Sequence, residues 1–152
     1  HAGSHREWKM EASDSAWWQA AARYDLADKL RQHPGLVLYG EVYGWVQSLR
    51  YGASRGERPR IAFFDAMRNG RYLDFYEFVG TMTDPGLDLP LAPPLFIGPW
   101  SPDLISAAEG PSIVPGANHV REGCVVRPER ERWDERVGRV ILKCVGNGYL
   151  ES

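Results

Sequence analysis

The sequence predicts an α+β domain of mostly antiparallel sheets with packed helices. Short β-branched and aromatic runs read as strands: Leu36–Tyr43, residues 60–65, residues 124–126 and residues 137–145. Asn69-Gly70 reads as a tight hairpin turn. Helical patterns fall between these runs without the regular alternation of parallel crossover units, and no glycine-rich phosphate loop follows a strand.

Each element has a local cause. Ser13 or Asp14 can cap a helix over residues 16–30, which Pro34-Gly35 stops. Trp17, Ala21, Tyr24 and Leu30 recur on it at helical spacing, so its aromatic residues are expected to pack on the sheet. After the strand Leu36–Tyr43, residues 47–59 form a polar loop. Arg50, Arg55 and Arg58 in the loop, with Arg60 just after it, offer either an RNA-backbone contact or a solvated arginine face. The strand over 60–65 turns at Asn69-Gly70 into Arg71-Tyr72-Leu73, and Asp74 can cap a helix containing Phe75, Phe78 and Val79. Residues 84–99 read as a proline-rich extended connection, and Ser101-Pro102 opens a short helix closed by Gly110. Residues 129–136 mix both charge signs and read as a solvated loop between the last strands.

Composition limits the function classes. At 152 residues, 43% hydrophobic and 25% charged, the chain suits one globular domain with a sizeable core. A formal charge of -2 excludes a uniformly basic surface while leaving room for a local one. Of 18 basic residues only Lys9, Lys29 and Lys143 are lysines, which narrows any lysine chemistry to three positions. Arginine excess suits bidentate phosphate contacts, and it also follows from GC-rich coding; both readings stay open. Cys124 and Cys144 lie in apolar runs, so no disulfide framework and a reducing, cytoplasmic setting are expected. The histidines show no zinc spacing, and no apolar run approaches the roughly twenty residues of a membrane span.

Four residues match the tasks of an enzyme that activates a nucleic-acid end with ATP. Glu41 at a strand end can accept hydrogen bonds from ribose hydroxyls. Phe64 can stack on a purine, although residue type alone favours a core position. Glu122 can hold a divalent cation near phosphates, since magnesium prefers carboxylate oxygen and water. Lys143 interrupts an apolar strand, where an ammonium needs solvent or a charged partner, and can neutralise an α-phosphate.

Together these segments resemble the adenylyltransferase domain of ATP-dependent RNA ligases, of the type shared by phage and bacterial RNA-repair enzymes. Tyr39-Gly40-Glu41 resembles the third motif of that family, whose acid contacts the ribose. Phe63-Phe64-Asp65 resembles the motif whose aromatic residue, matched by Phe64, stacks on adenine. Glu122-Gly123-Cys124-Val125-Val126-Arg127-Pro128 resembles the fourth motif, with Glu122 as the metal-linked acid, and Arg139-Val140-Ile141-Leu142-Lys143-Cys144 the fifth, with Lys143 on the α-phosphate. Gly3-Ser4-His5-Arg6 resembles the element after the nucleophile, which supplies an arginine to the ribose or the RNA end; Arg6 is the candidate, one place off, with His5 at the family's arginine position.

The resemblance implies a nucleotidyltransferase fold shared with DNA ligases and capping enzymes, and a three-step reaction. A lysine takes AMP from ATP with release of pyrophosphate, AMP passes to an RNA 5′-phosphate, and a 3′-hydroxyl closes the phosphodiester. ATP, magnesium or manganese, and RNA ends or a nicked RNA duplex are the implied cofactors and partners. Two departures stand out. No Lys-x-Asp/His-Gly nucleophile motif occurs in the chain, and Val145 stands at the second lysine of the fifth motif. The expectation is therefore a single, incomplete adenylyltransferase domain over residues 1–152, N-terminally truncated, from a parent ligase that carries the lysine. The alternative is a non-catalytic nucleotide- or RNA-binding module. A capping-type guanylyltransferase or a DNA ligase shares the motif order.

Overall fold

The computed structural model describes residues 14–46 and 48–151, together with the backbone of residues 2–3 and 8–9. Strands β1 (Ala2–Gly3) and β2 (Trp8–Lys9) pair antiparallel. Helices α1 (Ala16–Arg23) and α2 (Leu26–Arg31) follow, then β3 (Leu36–Tyr43), β4 (Arg60–Arg68), β5 (Arg71–Tyr72) and α3 (Phe75–Met82). A 3-10 helix (Pro102–Ala108) leads into β6 (Gly123–Val126), the hairpin strands β7 (Trp133–Asp134) and β8 (Gly138–Arg139), β9 (Leu142–Val145) and α4 (Asn147–Leu150). Every strand ladder among them is antiparallel, as the sequence predicts.

The central sheet has the order β3-β4-β5. Its core face carries Leu36, Leu38 and Val42 from β3 and Ile61, Phe63 and Ala66 from β4, packed with Trp17, Ala20 and Tyr24 of α1, Leu26 and Leu30 of α2, and Phe78 and Met82 of α3. Trp17, Tyr24 and Leu30 are thus half-buried against the core, as their spacing implied, whereas the buried alanine of α1 is Ala20 and not Ala21. The single helix expected over residues 16–30 is instead two. α1 ends at Arg23, and Asp25, at φ 52, turns the chain before α2 starts at Leu26. An aspartate tolerates that left-handed conformation, so the break needs no glycine. Ser15, not Ser13 or Asp14, sits at the N-cap of α1.

The Asn69-Gly70 turn forms as predicted, with φ 52 and 81 at the two residues, both positive as a mirror-image hairpin turn requires. Asp74 caps α3 in a capping box with Glu77. The proline-rich segment does more than connect. Its Pro90 carbonyl accepts from Phe63 N–H at 2.9 Å, and Ala92 N–H donates to the Phe63 carbonyl at 2.7 Å, so it covers the edge of β4 that β3 leaves open. Proline on that strip leaves few further donors, which suits an edge that ends the sheet.

Two expectations near the C-terminus need correction. Residues 137–145 do not form one strand: Gly138–Arg139 pairs with Trp133–Asp134, and only Leu142–Val145 pairs with β6. Residues 129–136 are not wholly a solvated loop, because Glu131 is drawn inside by two arginines, with only 15% of its side chain exposed.

Candidate nucleotide site

The β3–β4 ladder contains a bulge that decides where the first candidate residues face. Tyr39 pairs with Asp65 but Gly40 pairs with Phe63, so Phe64 is an extra residue. Before it Ile61 and Phe63 face the core; after it Ala66 does, a change of parity. Phe63 is 2% exposed and Phe64 47%. A bulge re-aims side chains in this way, and here it turns Phe64 out of the core, against the packing expected from residue type alone. Gly40 is required where the bulge begins, since a Cβ there would lie 2.9 Å from both the Ala62 carbonyl oxygen and the Phe63 ring. Glu41 pairs with Ala62 on the face away from the core and is exposed.

Glu122 immediately precedes β6, its carbonyl accepting from Gly146 N–H at 2.9 Å. Its carboxylate accepts a hydrogen bond from the Tyr51 hydroxyl. Burial, then that bond and the charges of Glu122 and Glu41, push the Tyr51 phenol well above its ordinary pKa, so the three groups form one electrostatic cluster. On β9, Lys143 pairs with Val125, opposite in face to the facing pair Cys124 and Cys144. Cys144 is buried, so the alternation leaves Lys143 exposed on the open face. The structure thus places Phe64 and Glu41 on one sheet and joins Tyr51, in the loop after β3, to Glu122. Among the described residues no hydrogen bond or ion pair joins Lys143 to them. Arg6 lies outside the described residues.

Beneath these positions is a ring of four charged side chains that sequence reasoning did not assign. Asp65, next to Phe64, binds Arg127 Nη1 at 2.9 Å and Arg139 Nη1 at 2.6 Å. Glu131 closes the ring, receiving Arg127 Nη2 at 2.8 Å and both Nε and Nη2 of Arg139 at 2.8 Å. Two cations and two anions balance, and the bidentate geometry offsets the cost of removing them from water. Arg127 also donates to the Leu73 carbonyl at 2.8 Å, and the Arg139 guanidinium lies 3.6 Å from the Tyr72 ring centroid. Arg127 and Arg139 stand inside the segments carrying Glu122 and Lys143. The available signal was an arginine in each segment and an aspartate after the candidate aromatic, with no pattern to pair them.

The arginine loop is divided. Arg60 belongs to β4 and is paired with Glu57 at 2.6 Å, Arg50 lies over the Trp45 ring at 4.2 Å, and Arg55 and Arg58 are exposed. Among the described residues no group of three or more His, Cys, Asp or Glu side chains could hold a metal ion by itself. Both cysteines are free, and no described helix is long and apolar enough to cross a membrane. A hollow of about 650 Å³ lies elsewhere, at the β7–β8 hairpin, lined by Arg132, Trp133, Asp134, Arg136, Val137 and Val140.

Solved structures share this fold. The chain superimposes on the Naegleria gruberi RNA ligase with pyrophosphate at a TM-score of 0.71 and 24% identity, covering 93% of this chain and 42% of that one. Substituted forms of the same enzyme match equally: one with ATP and manganese at 0.71, and one with AMP and manganese at 0.72, both at 24% identity, 93% of this chain and 42% of theirs. The chain therefore spans about two fifths of the length of these solved ligases. No curated protein sequence matches it. The RNA ligase family model matches residues 4–145, nearly the full length, and the chain belongs to the RNA ligase family.

Proposed function

We propose that this chain is the nucleotide-binding part of an ATP-dependent RNA ligase that joins 5′-phosphate and 3′-hydroxyl RNA ends. The observation that carries the reading is the bulge that exposes Phe64 on the sheet bearing Glu41. Phe64 stacks on the adenine, as an exposed ring beside a bulge can and a core ring cannot. Glu41 accepts hydrogen bonds from the ribose hydroxyls. Lys143, exposed on β9, offsets negative charge at the α-phosphate. Arg6 contacts the ribose or the RNA end.

The residues fit a nucleotide-bound magnesium or manganese. Glu122 engages Tyr51 through Oε1, and Oε2 has no partner among the described residues. A single carboxylate is enough where phosphate oxygens and water complete the octahedron, which explains why a protein-only cage is not needed. When bound, the cation offsets charge at the phosphates. The two unpaired thiols support a reducing, cytoplasmic setting.

The deciding experiment is the intact mass of the native gene product before and after incubation with ATP and magnesium. A gain of one AMP is expected, on a lysine upstream of this segment. ATP binding that depends on metal but transfers no AMP would assign the chain to a non-covalent binding module. Preference for GTP would assign it to capping chemistry, and preference for nicked DNA to DNA ligation.

A further inference from the structure

We propose that Tyr51 is a positioning residue for Glu122: its hydroxyl holds one carboxylate oxygen so that the other is presented to the nucleotide-bound cation. The inference rests on Glu122 being the metal-linked acid. Three observations converge on Tyr51. Its hydroxyl donates to Glu122 Oε1 across 71 positions of sequence. Its ring is fixed edge-on from two sides, 5.5 Å from Tyr43 and 4.5 Å from His119. His119 is itself oriented, its Nδ1 donating to the Val120 carbonyl at 2.7 Å.

The backbone is the third observation. Tyr51 has φ 48, a left-handed conformation that a bulky aromatic residue adopts only when its surroundings impose it. The imposition is visible one residue later. Gly52, at φ 72, approaches the 112–120 segment so closely that a Cβ would lie 2.5 Å from the Gly116 carbonyl oxygen. The turn, closed by the Ala53 N–H donating to the Arg50 carbonyl at 2.9 Å, is thus pressed against the chain that leads into Glu122.

The Tyr51 hydroxyl donates to the Glu122 carboxylate and so fixes its orientation. Partners of this kind tune a ligand's orientation, and their loss typically weakens metal affinity by about 10- to 100-fold.

The test uses the native gene product that carries this chain and its Tyr51→Phe variant, which keeps both ring contacts and removes one oxygen. Manganese binding at saturating ATP is read by electron paramagnetic resonance of the free ion, and ATP binding in EDTA by calorimetry. Tyr51→Phe is expected to weaken manganese about tenfold and to leave metal-free ATP binding within about twofold. Introduced into Glu122→Gln, which itself weakens manganese, it is expected to cause no further loss, because the group it orients is already disabled. Unchanged manganese affinity, additive losses in the double variant, or an equal loss of ATP binding in EDTA would overturn the proposal, the last by showing a purely structural role. A wild-type native protein that binds neither ATP nor manganese would instead refute the nucleotide-site reading on which the proposal stands.

Discussion

Phe63 and Phe64 are neighbours with opposite roles, and substitution should separate them. Phe64→Ala is expected to leave the melting temperature nearly unchanged, since the ring is 47% exposed. It should weaken ATP binding by roughly ten- to a hundredfold, the weight of one base-aromatic stack. Phe63→Ala removes a ring that is 2% exposed and should cost about 3–5 kcal/mol in denaturant unfolding. Equal destabilisation by the two would contradict the bulge. Asp65 is the next residue, and Asp65→Asn leaves Arg127 and Arg139 without their shared carboxylate. A loss of about 3–5 kcal/mol is expected by the same measurement, because two largely buried guanidiniums are then left to share the single Glu131 carboxylate.

At the scale of elements, the two-stranded ladder β6–β9 holds Glu122 and Lys143 in relation to each other. The strands approach closely at Gly123, where a Cβ would lie 2.1 Å from the Cys144 carbonyl oxygen. The obstacle is backbone and cannot rotate away, so Gly123→Ala should force the strands apart. A cost of about 2–3 kcal/mol is expected in denaturant unfolding, with weaker ATP binding at temperatures where the variant is still folded. The α1–α2 break belongs to this scale too. The apolar spacing across residues 16–30 reads as one helix because Tyr24, Leu26 and Leu30 all reach the core, and a periodicity count does not register a single left-handed Asp25 between them.

For the molecule as a whole, the Asp65–Arg127–Glu131–Arg139 ring ties β4 to the segments after β6 and before β9. Stability should therefore follow its protonation. Hydrogen bonds from Arg139, and then the charges of Arg139 and Arg127, hold the Glu131 carboxyl below its ordinary pKa. Because the folded value is depressed, the contribution is complete above the unfolded glutamate value of about 4.3 and is lost as the pH falls through the depressed one. Calorimetry from about pH 5 towards pH 3 should show a falling melting temperature, with a shallower fall in Glu131→Gln.

What the sequence by itself determined was local or carried by contiguous motifs. The bounds of Leu36–Tyr43, the Asn69-Gly70 turn, the Asp74 cap and the Ser101-Pro102 helix start follow from propensity and turn chemistry within a few residues. The segments around Glu41, Phe64, Glu122 and Lys143 were enough to suggest the family. The tertiary structure decided the rest, because it depends on pairings between distant residues. The register of β3 on β4 makes Phe64 the extra residue of a bulge and exposes it, which no alternation along β4 alone foretells. The pairing of Asp65 with Arg127 and Arg139, and of Tyr51 with Glu122, spans more than sixty positions in each case, and charge sign or residue type in one dimension does not choose among fifteen arginines and seven tyrosines.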